Sequence, residues 1–133
     1  YFLYLFIIIS LVSILPLKTT QPEIFEESFN EEFLSEKISE GPVFLNFTAD
    51  WCITCKVNER VALKTTSTEE LFKEKSIFYM EADWTNKNDS IARKLASFGR
   101  SSIPLYVFYP GEKSEPIILP EILSESILRE YLK

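Results

Sequence analysis

Residues 43–63 read VFLNFTADWCITCKVNERVAL, and this stretch decides the fold. Val43 to Thr48 is nearly continuous apolar and β-prone, the pattern of a strand buried on both faces. From about Cys52 to Leu63 the pattern predicts a helix. Cys52 and Cys55 bracket two residues where that helix opens. Only the thiolate of cysteine is a nucleophile, and the unpaired N–H groups and macrodipole of a helix N-terminus favour it. Cys52 occupies that position. Cys55 lies one turn in, near enough to close a disulfide with it. This arrangement makes Cys52 an exposed attacker and Cys55 a sheltered resolver. Two blander readings stand beside it, half of an intermolecular zinc site and an inert structural disulfide. A bridge over two residues staples almost no loop, so its entropic stabilisation is small. Zinc would need ligands from a second chain.

On the N-terminal side, Ser28-Phe29-Asn30-Glu31 has capping-box spacing, and Phe33, Leu34 and Ile38 form one apolar face. These features predict a helix over 29–39 that ends near Gly41-Pro42. On the C-terminal side, Ser67-Thr68-Glu69-Glu70 is a second capping box, opening a short helix through Phe72. A buried strand is expected over 77–82. Asn88 or Asp89 caps a helix with Ile91, Leu95 and Phe98 on one face, closed by Gly99. Residues 105–109 read as a strand, Tyr109-Pro110-Gly111-Glu112 as a type II turn, and 116–119 as the returning hairpin partner. A last helix runs over 124–132. Strands alternating with helices imply a parallel pair joined by right-handed crossovers, followed by an antiparallel hairpin. The expected class is α/β, a central mixed β-sheet flanked by helices.

Composition narrows the chemistry. The chain has 133 residues, 46% hydrophobic and 26% charged, which suits one domain of modest size. Gly numbers only 3, so Gly-rich phosphate loops are absent. There is no His, which removes Ser-His-Asp and Cys-His catalysis and every His-containing metal site. Two Cys exclude a multi-disulfide scaffold and an intrachain four-Cys metal site. A net charge of −6 argues against nucleic acid as a partner.

Residues 1–17, YFLYLFIIISLVSILPL, carry no charge. A membrane-spanning helix needs about 20 such residues. The run reads as the C-terminal part of a transmembrane helix; a signal-peptide core and a buried soluble helix are the alternatives. There is no basic segment before it and no small-x-small cleavage pattern near Pro16. Lys18 is the only nearby cation and Glu23, Glu26 and Glu27 follow, which turns the next domain away from the cytoplasm. The expected organisation is a membrane segment over 1–17, a linker over 18–28 and one domain over 29–133.

The segment Phe47-Thr48-Ala49-Asp50-Trp51-Cys52-Ile53-Thr54-Cys55-Lys56 resembles the active site of thioredoxin-fold proteins. More narrowly it is similar to that of the C-terminal periplasmic domain of DsbD-type thiol:disulfide interchange proteins. Ala82-Asp83-Trp84-Thr85-Asn86 and Phe98-Gly99-Arg100-Ser101-Ser102-Ile103-Pro104-Leu105-Tyr106 resemble the same subfamily. The likeness spans roughly residues 42–132 and implies a thioredoxin-like fold. In that family a membrane-embedded domain of the same protein supplies electrons, and this domain passes them to periplasmic thiol-disulfide proteins. The implied place is the bacterial inner membrane, with the domain facing the periplasm. No cofactor is implied, because the two sulfurs hold both electrons.

The resemblance also implies roles for single residues. Ile103-Pro104 would be a cis peptide facing the cysteines, with the Ile103 backbone open to an extended partner segment; a turn proline that merely starts a strand is the bland reading. The buried acid usual six residues before the first Cys is Asn46 here, which exchanges no proton at neutral pH, so Asn46 is expected to serve hydrogen bonding. Glu59, four residues after Cys55 on the same helix face, is the substitute, with a solvated Glu paired to Lys56 or Arg60 as the equal alternative. Trp51 is expected to shield the disulfide and join the docking surface, or else to pack in the core. Lys56 would assist the thiolate or stay solvated, and Trp84 would line the same side. The function expected is a protein-disulfide reductase. Its rivals are a membrane-tethered oxidase or isomerase and a binding module without redox turnover.

Overall fold

The computed structural model describes residues 27–133. The apolar run 1–17 and most of the expected linker lie outside the described residues. Among the described residues, no helix is long and apolar enough to cross a membrane.

Strand β1 is Glu27–Ser28 and helix α1 is Glu31–Glu40. Strand β2 is Val43–Thr48 and helix α2 is Ile53–Asn58, which runs directly into a π-helical stretch, Glu59–Leu63. Helix α3 is Thr66–Glu74, strand β3 Phe78–Asp83 and helix α4 Asp89–Ser97. Strand β4 is Leu105–Tyr109, strand β5 Ile117–Ile118 and helix α5 Glu125–Tyr131. The sheet order is β1-β3-β2-β4-β5. β1, β3 and β2 run parallel, while β4 is antiparallel to both β2 and β5. The expected mixed sheet and C-terminal hairpin are both present.

Every residue of β2 is buried, because helices cover both faces of the sheet. Side chains alternate between the faces. Phe44 joins Tyr79, Tyr106, Phe72, Leu63 and Leu128 in one core. Val43, Leu45 and Phe47 join Leu34, Met80, Ile91, Leu95 and Val107 in the other. Asn46 and Thr48 share the parity of Phe44, so the strand turns polar on that face as it approaches the cysteines.

The two capping boxes are displaced. Asn30, not Ser28, caps α1, its side chain accepting from the N–H groups of Glu32 and Phe33 at 2.9 and 3.1 Å. The backbone at Ser28 instead pairs with Glu81 in the sheet, so the expected linker already contributes a strand. Thr65, not Ser67, caps α3 by accepting from the Thr68 N–H. The α4 ending is as expected: Gly99 has φ +68, and Gly99 N–H and Arg100 N–H return to the carbonyls of Ala96 and Leu95. The turn after β4 sits further along than Tyr109–Glu112, its closing bond running from Ser114 N–H to Gly111 O. The helix expected over 52–63 changes pitch at Glu59, where Lys64 N–H reaches back five residues to Glu59 O at 2.7 Å.

Candidate functional site

The site is assembled at the carboxyl ends of β2 and β3, which lie side by side because the strands are parallel. After Thr48 the chain turns, with Cys52 N–H bonding Ala49 O at 3.1 Å. The segment following β3 props this turn. Trp84 N–H donates to Thr48 O at 2.7 Å. Asp50 N–H donates to Thr85 Oγ1 at 2.9 Å, and the Trp51 indole N–H to Thr85 O at 3.1 Å. Asp83 Oδ1 in turn accepts from Thr85 N–H at 2.9 Å.

Cys52 and Cys55 form a disulfide, with S–S 2.10 Å and Cα–Cα 5.3 Å. Cys52 is the N-cap of α2, and its Sγ accepts from Cys55 N–H at 3.2 Å. Cys52 keeps 7% of its surface open while Cys55 has none. Both cysteines are buried, Cys52 slightly less than Cys55. Ile103-Pro104 is cis. Ile103 packs against the small cluster of Ala49, Cys52 and Cys55, so a residue 51 positions beyond Cys52 in sequence rests on the disulfide.

Glu59 is only 6% exposed. Thr48 Oγ1 donates to its Oε1 at 2.7 Å, and Lys56 Nζ stands 3.3 Å from its Oε2. Lys64 Nζ lies 4.0 Å from the same oxygen and 3.5 Å from Glu81 Oε1. Glu59 is therefore paired with Lys56 and buried rather than solvated. The i→i+5 turn returns Lys64 towards it. Lys56 also lies 3.8 Å from Asp50.

Asn46 makes its bond within the sheet. Its Nδ2 donates to Tyr79 OH at 2.8 Å, and Tyr79 OH donates to Glu81 Oε1 at 3.0 Å. Burial first, and then the charge of Glu81, holds the Tyr79 phenol well above its ordinary value. Asn58 does more than sequence suggests. Its Nδ2 donates to Tyr106 OH at 2.8 Å and to Glu121 O at 2.7 Å, and its Oδ1 accepts from Leu123 N–H at 3.1 Å. Burial pushes the Tyr106 phenol up to about 12.

Trp51 is 49% exposed, which removes the core reading for it. Its ring centroid lies 6.2 Å from that of Trp84, and Lys87 Nζ sits 5.3 and 5.9 Å from the two rings. Trp84 is thus on the cysteine side, as expected. Among the described residues no group of three or more Cys, Asp or Glu is gathered as a metal site. Reading the sequence misses Thr85 and Lys64. Thr85 lies within a quoted motif but has no chemistry of its own to flag it, and Lys64 is brought in by a change of helical pitch.

A family model described as thioredoxin-like matches residues 25–111. No curated protein sequence matches the chain. Among solved structures, the reduced C-terminal domain of Neisseria meningitidis DsbD is 20% identical, covering 80% of this chain and 96% of that one, with a TM-score of 0.60. The oxidised form is 24% identical over 75% of this chain and 84% of that one, with a TM-score of 0.57. A thioredoxin from Thermus thermophilus is 10% identical over 80% and 84%, with a TM-score of 0.64. At these identities the likeness establishes the fold.

Proposed function

We propose that this chain, which belongs to the thioredoxin-like family, is a membrane-anchored protein-disulfide reductase of DsbD type that works by dithiol–disulfide exchange. The observation that carries the reading is the pairing of a marginally open Cys52, capping a helix, with a fully buried Cys55 under Ile103. In the reduced protein, the N–H that Cys55 directs at Cys52 Sγ favours negative charge on that sulfur. The Cys52 thiolate attacks one sulfur of a partner disulfide and expels the other as a thiolate. Cys55 then gives up its proton and attacks Cys52 Sγ, releasing the partner's second sulfur. The partner gains two electrons and two protons, and Cys52–Cys55 becomes the disulfide seen here.

Glu59 is the candidate to take the Cys55 proton, because it is the carboxylate buried one turn further along the helix. Trp51 and Ile103 form the surface that meets the partner, with Pro104, itself buried, beneath it. A membrane-embedded donor domain of the same protein restores the dithiol, and periplasmic thiol-disulfide proteins accept the electrons. The apolar run 1–17 and the resemblance of residues 82–86 and 98–106 to the DsbD type support the placement at the inner membrane.

Trapping tests the cycle. Cys55→Ser should attack but not release, so a mixed disulfide accumulates, because resolution is the intramolecular step. Non-reducing gels should show a covalent adduct that reductant collapses and that Cys52→Ser/Cys55→Ser does not form. An absence of adduct with Cys52 shown to be free and reactive would refute the reductase and favour a binding module. Trapping only cytoplasmic proteins in intact cells would refute the periplasmic placement.

A further inference from the structure

Three aliphatic side chains stand in solvent beside the disulfide. Ile53 is 81% exposed, and Val57 and Val61 are each 50% exposed. In a continuous α-helix, positions four apart drift by roughly 40° per step, so Val61 would lie well round the helix from Ile53. The π-helical stretch from Glu59 advances each residue by roughly 80° instead of 100°, which turns Val61 back towards the line of Ile53 and Val57. The change of pitch therefore narrows into a tighter line an apolar stripe that a regular helix would spread over roughly 80°.

The charge along this segment is opposite to that of the chain. Over residues 52–64 the cations are Lys56, Arg60 and Lys64, and the one anion, Glu59, is buried. Lys56 and Lys64 reach inward to Glu59 yet remain partly exposed, and Arg60 is exposed on the same segment. The chain as a whole carries a net charge of −6. Asp50, beside Lys56, and Asp83, which holds Thr85, are exposed acids at the cysteine end.

We infer that the stripe Ile53–Val57–Val61 with Lys56, Arg60 and Lys64 is a docking face for an acidic, apolar polypeptide segment of the exchange partner. This rests on the redox reading above and adds to it the chemistry of the partner. The stripe starts at Ile53, inside the CxxC motif, so a protein that brings a disulfide to Cys52 comes against its first residue, and a segment that continues along the helix meets Val57 and Val61. Its cations select a segment that carries carboxylates beside apolar side chains. Three cations, two of them tied to a buried carboxylate, fall short of the 4–8 that bind anionic lipid surfaces.

The test uses the full chain, reduced, and two synthetic peptides. Each holds one Cys as a mixed disulfide with thionitrobenzoate; one is flanked by Leu and Glu, the other by Leu and Lys. The Cys52 thiolate attacks the peptide sulfur and expels coloured thionitrobenzoate, and Cys55 then releases the peptide as a thiol. The acidic peptide should react about tenfold faster at about 0.01 M salt, and the ratio should shrink at about 1 M. Arg60→Glu should cut the ratio severalfold, whereas Arg93→Glu, the same charge change on α4, should leave it. Val57→Ser/Val61→Ser should slow both peptides about fivefold while keeping the ratio. Equal rates for the two peptides, or a ratio insensitive to Arg60→Glu, overturn the inference. Binding to phosphatidylserine vesicles that Arg60→Glu abolishes, with equal peptide rates, would assign the face to lipid instead. If the small aromatic disulfide dithiobis(nitrobenzoate) is not reduced either, the redox reading itself fails; if it is reduced while the peptides react alike, only the docking face fails.

Discussion

Replacing Asn58 by Ala removes three hydrogen bonds from a side chain that is 1% exposed. Two of its partners are backbone groups of residues 121 and 123, on the segment leading into α5, and the third is the buried Tyr106 hydroxyl. Each bond contributes about 0.5–1.5 kcal/mol net, and a buried group left without a partner costs about 1–3 kcal/mol. Leu123 N–H is the donor stranded most completely, since Leu123 is itself buried. The expected loss is therefore about 3 kcal/mol. With a urea slope of about 2 kcal/mol per molar, the unfolding midpoint should fall by roughly 1.5 M at unchanged slope. Urea titration of the oxidised protein, followed by the fluorescence of Trp51 and Trp84, measures this. Asn30→Ala is the comparison, because it removes a cap in solvent worth about 1 kcal/mol. A midpoint shift for Asn58→Ala no larger than that for Asn30→Ala would refute the claim that Asn58 clamps the C-terminal segment to the helix.

Alkylation of the reduced protein near neutral pH should label Cys52 before Cys55, and peptide mapping showing the reverse would overturn the assignment of attacker and resolver. Glu59→Gln preserves size and can still accept from Thr48, so it should fold, yet slow resolution at least about tenfold and change its pH profile; a rate and profile equal to the parent would make Glu59 purely structural. Stability should fall in alkali. Burial holds the Tyr106 phenol at about 12 against an ordinary value of 10, and Tyr79 is also raised, by burial and then by Glu81. Folded phenols keep protons that unfolded ones lose, so this stability is fully present below about pH 10 and is lost as pH climbs towards 12, by up to about 1.4 kcal/mol per pH unit for each phenol. Equal urea midpoints at about pH 9 and pH 11 would contradict it.

The sheet and the cysteine pair were legible because both rest on local signals. A nearly continuous apolar run as short and β-prone as Val43–Phe47, followed by a turn, fits a strand covered on both faces, and two cysteines at the start of a helix need no distant partner to be recognised. The cap at Asn30 was missed because the sheet recruits Ser28, a tertiary pairing that overrides the capping-box spacing. The approach of Lys64 to Glu59 depends on a change of helical pitch between them, which the i, i+4 pattern carries no mark of. Asn46 is the instructive intermediate. Its hydrogen-bonding role could be expected from its neutral amide, but its partner, Tyr79, is fixed by the cross-strand register and lies 33 residues away.

The outer strand of the hairpin has a further consequence. Ile117–Ile118 pairs with β4 and is bracketed by Pro116 and Pro120. Proline offers no N–H to a ladder, so another chain adding to this edge would find only the three-residue span between them, and within it Leu119 N–H is already given to Tyr106 O. Inside it lies Leu105–Tyr109, five residues of aromatic and aliphatic character without a charge, the composition that stacks into intermolecular sheets when exposed. β5 is thus a sheath, blunting the edge most prone to self-association. Once unfolding strips it away, the chain should aggregate rather than refold, so heat should inactivate the protein irreversibly and faster as its concentration rises.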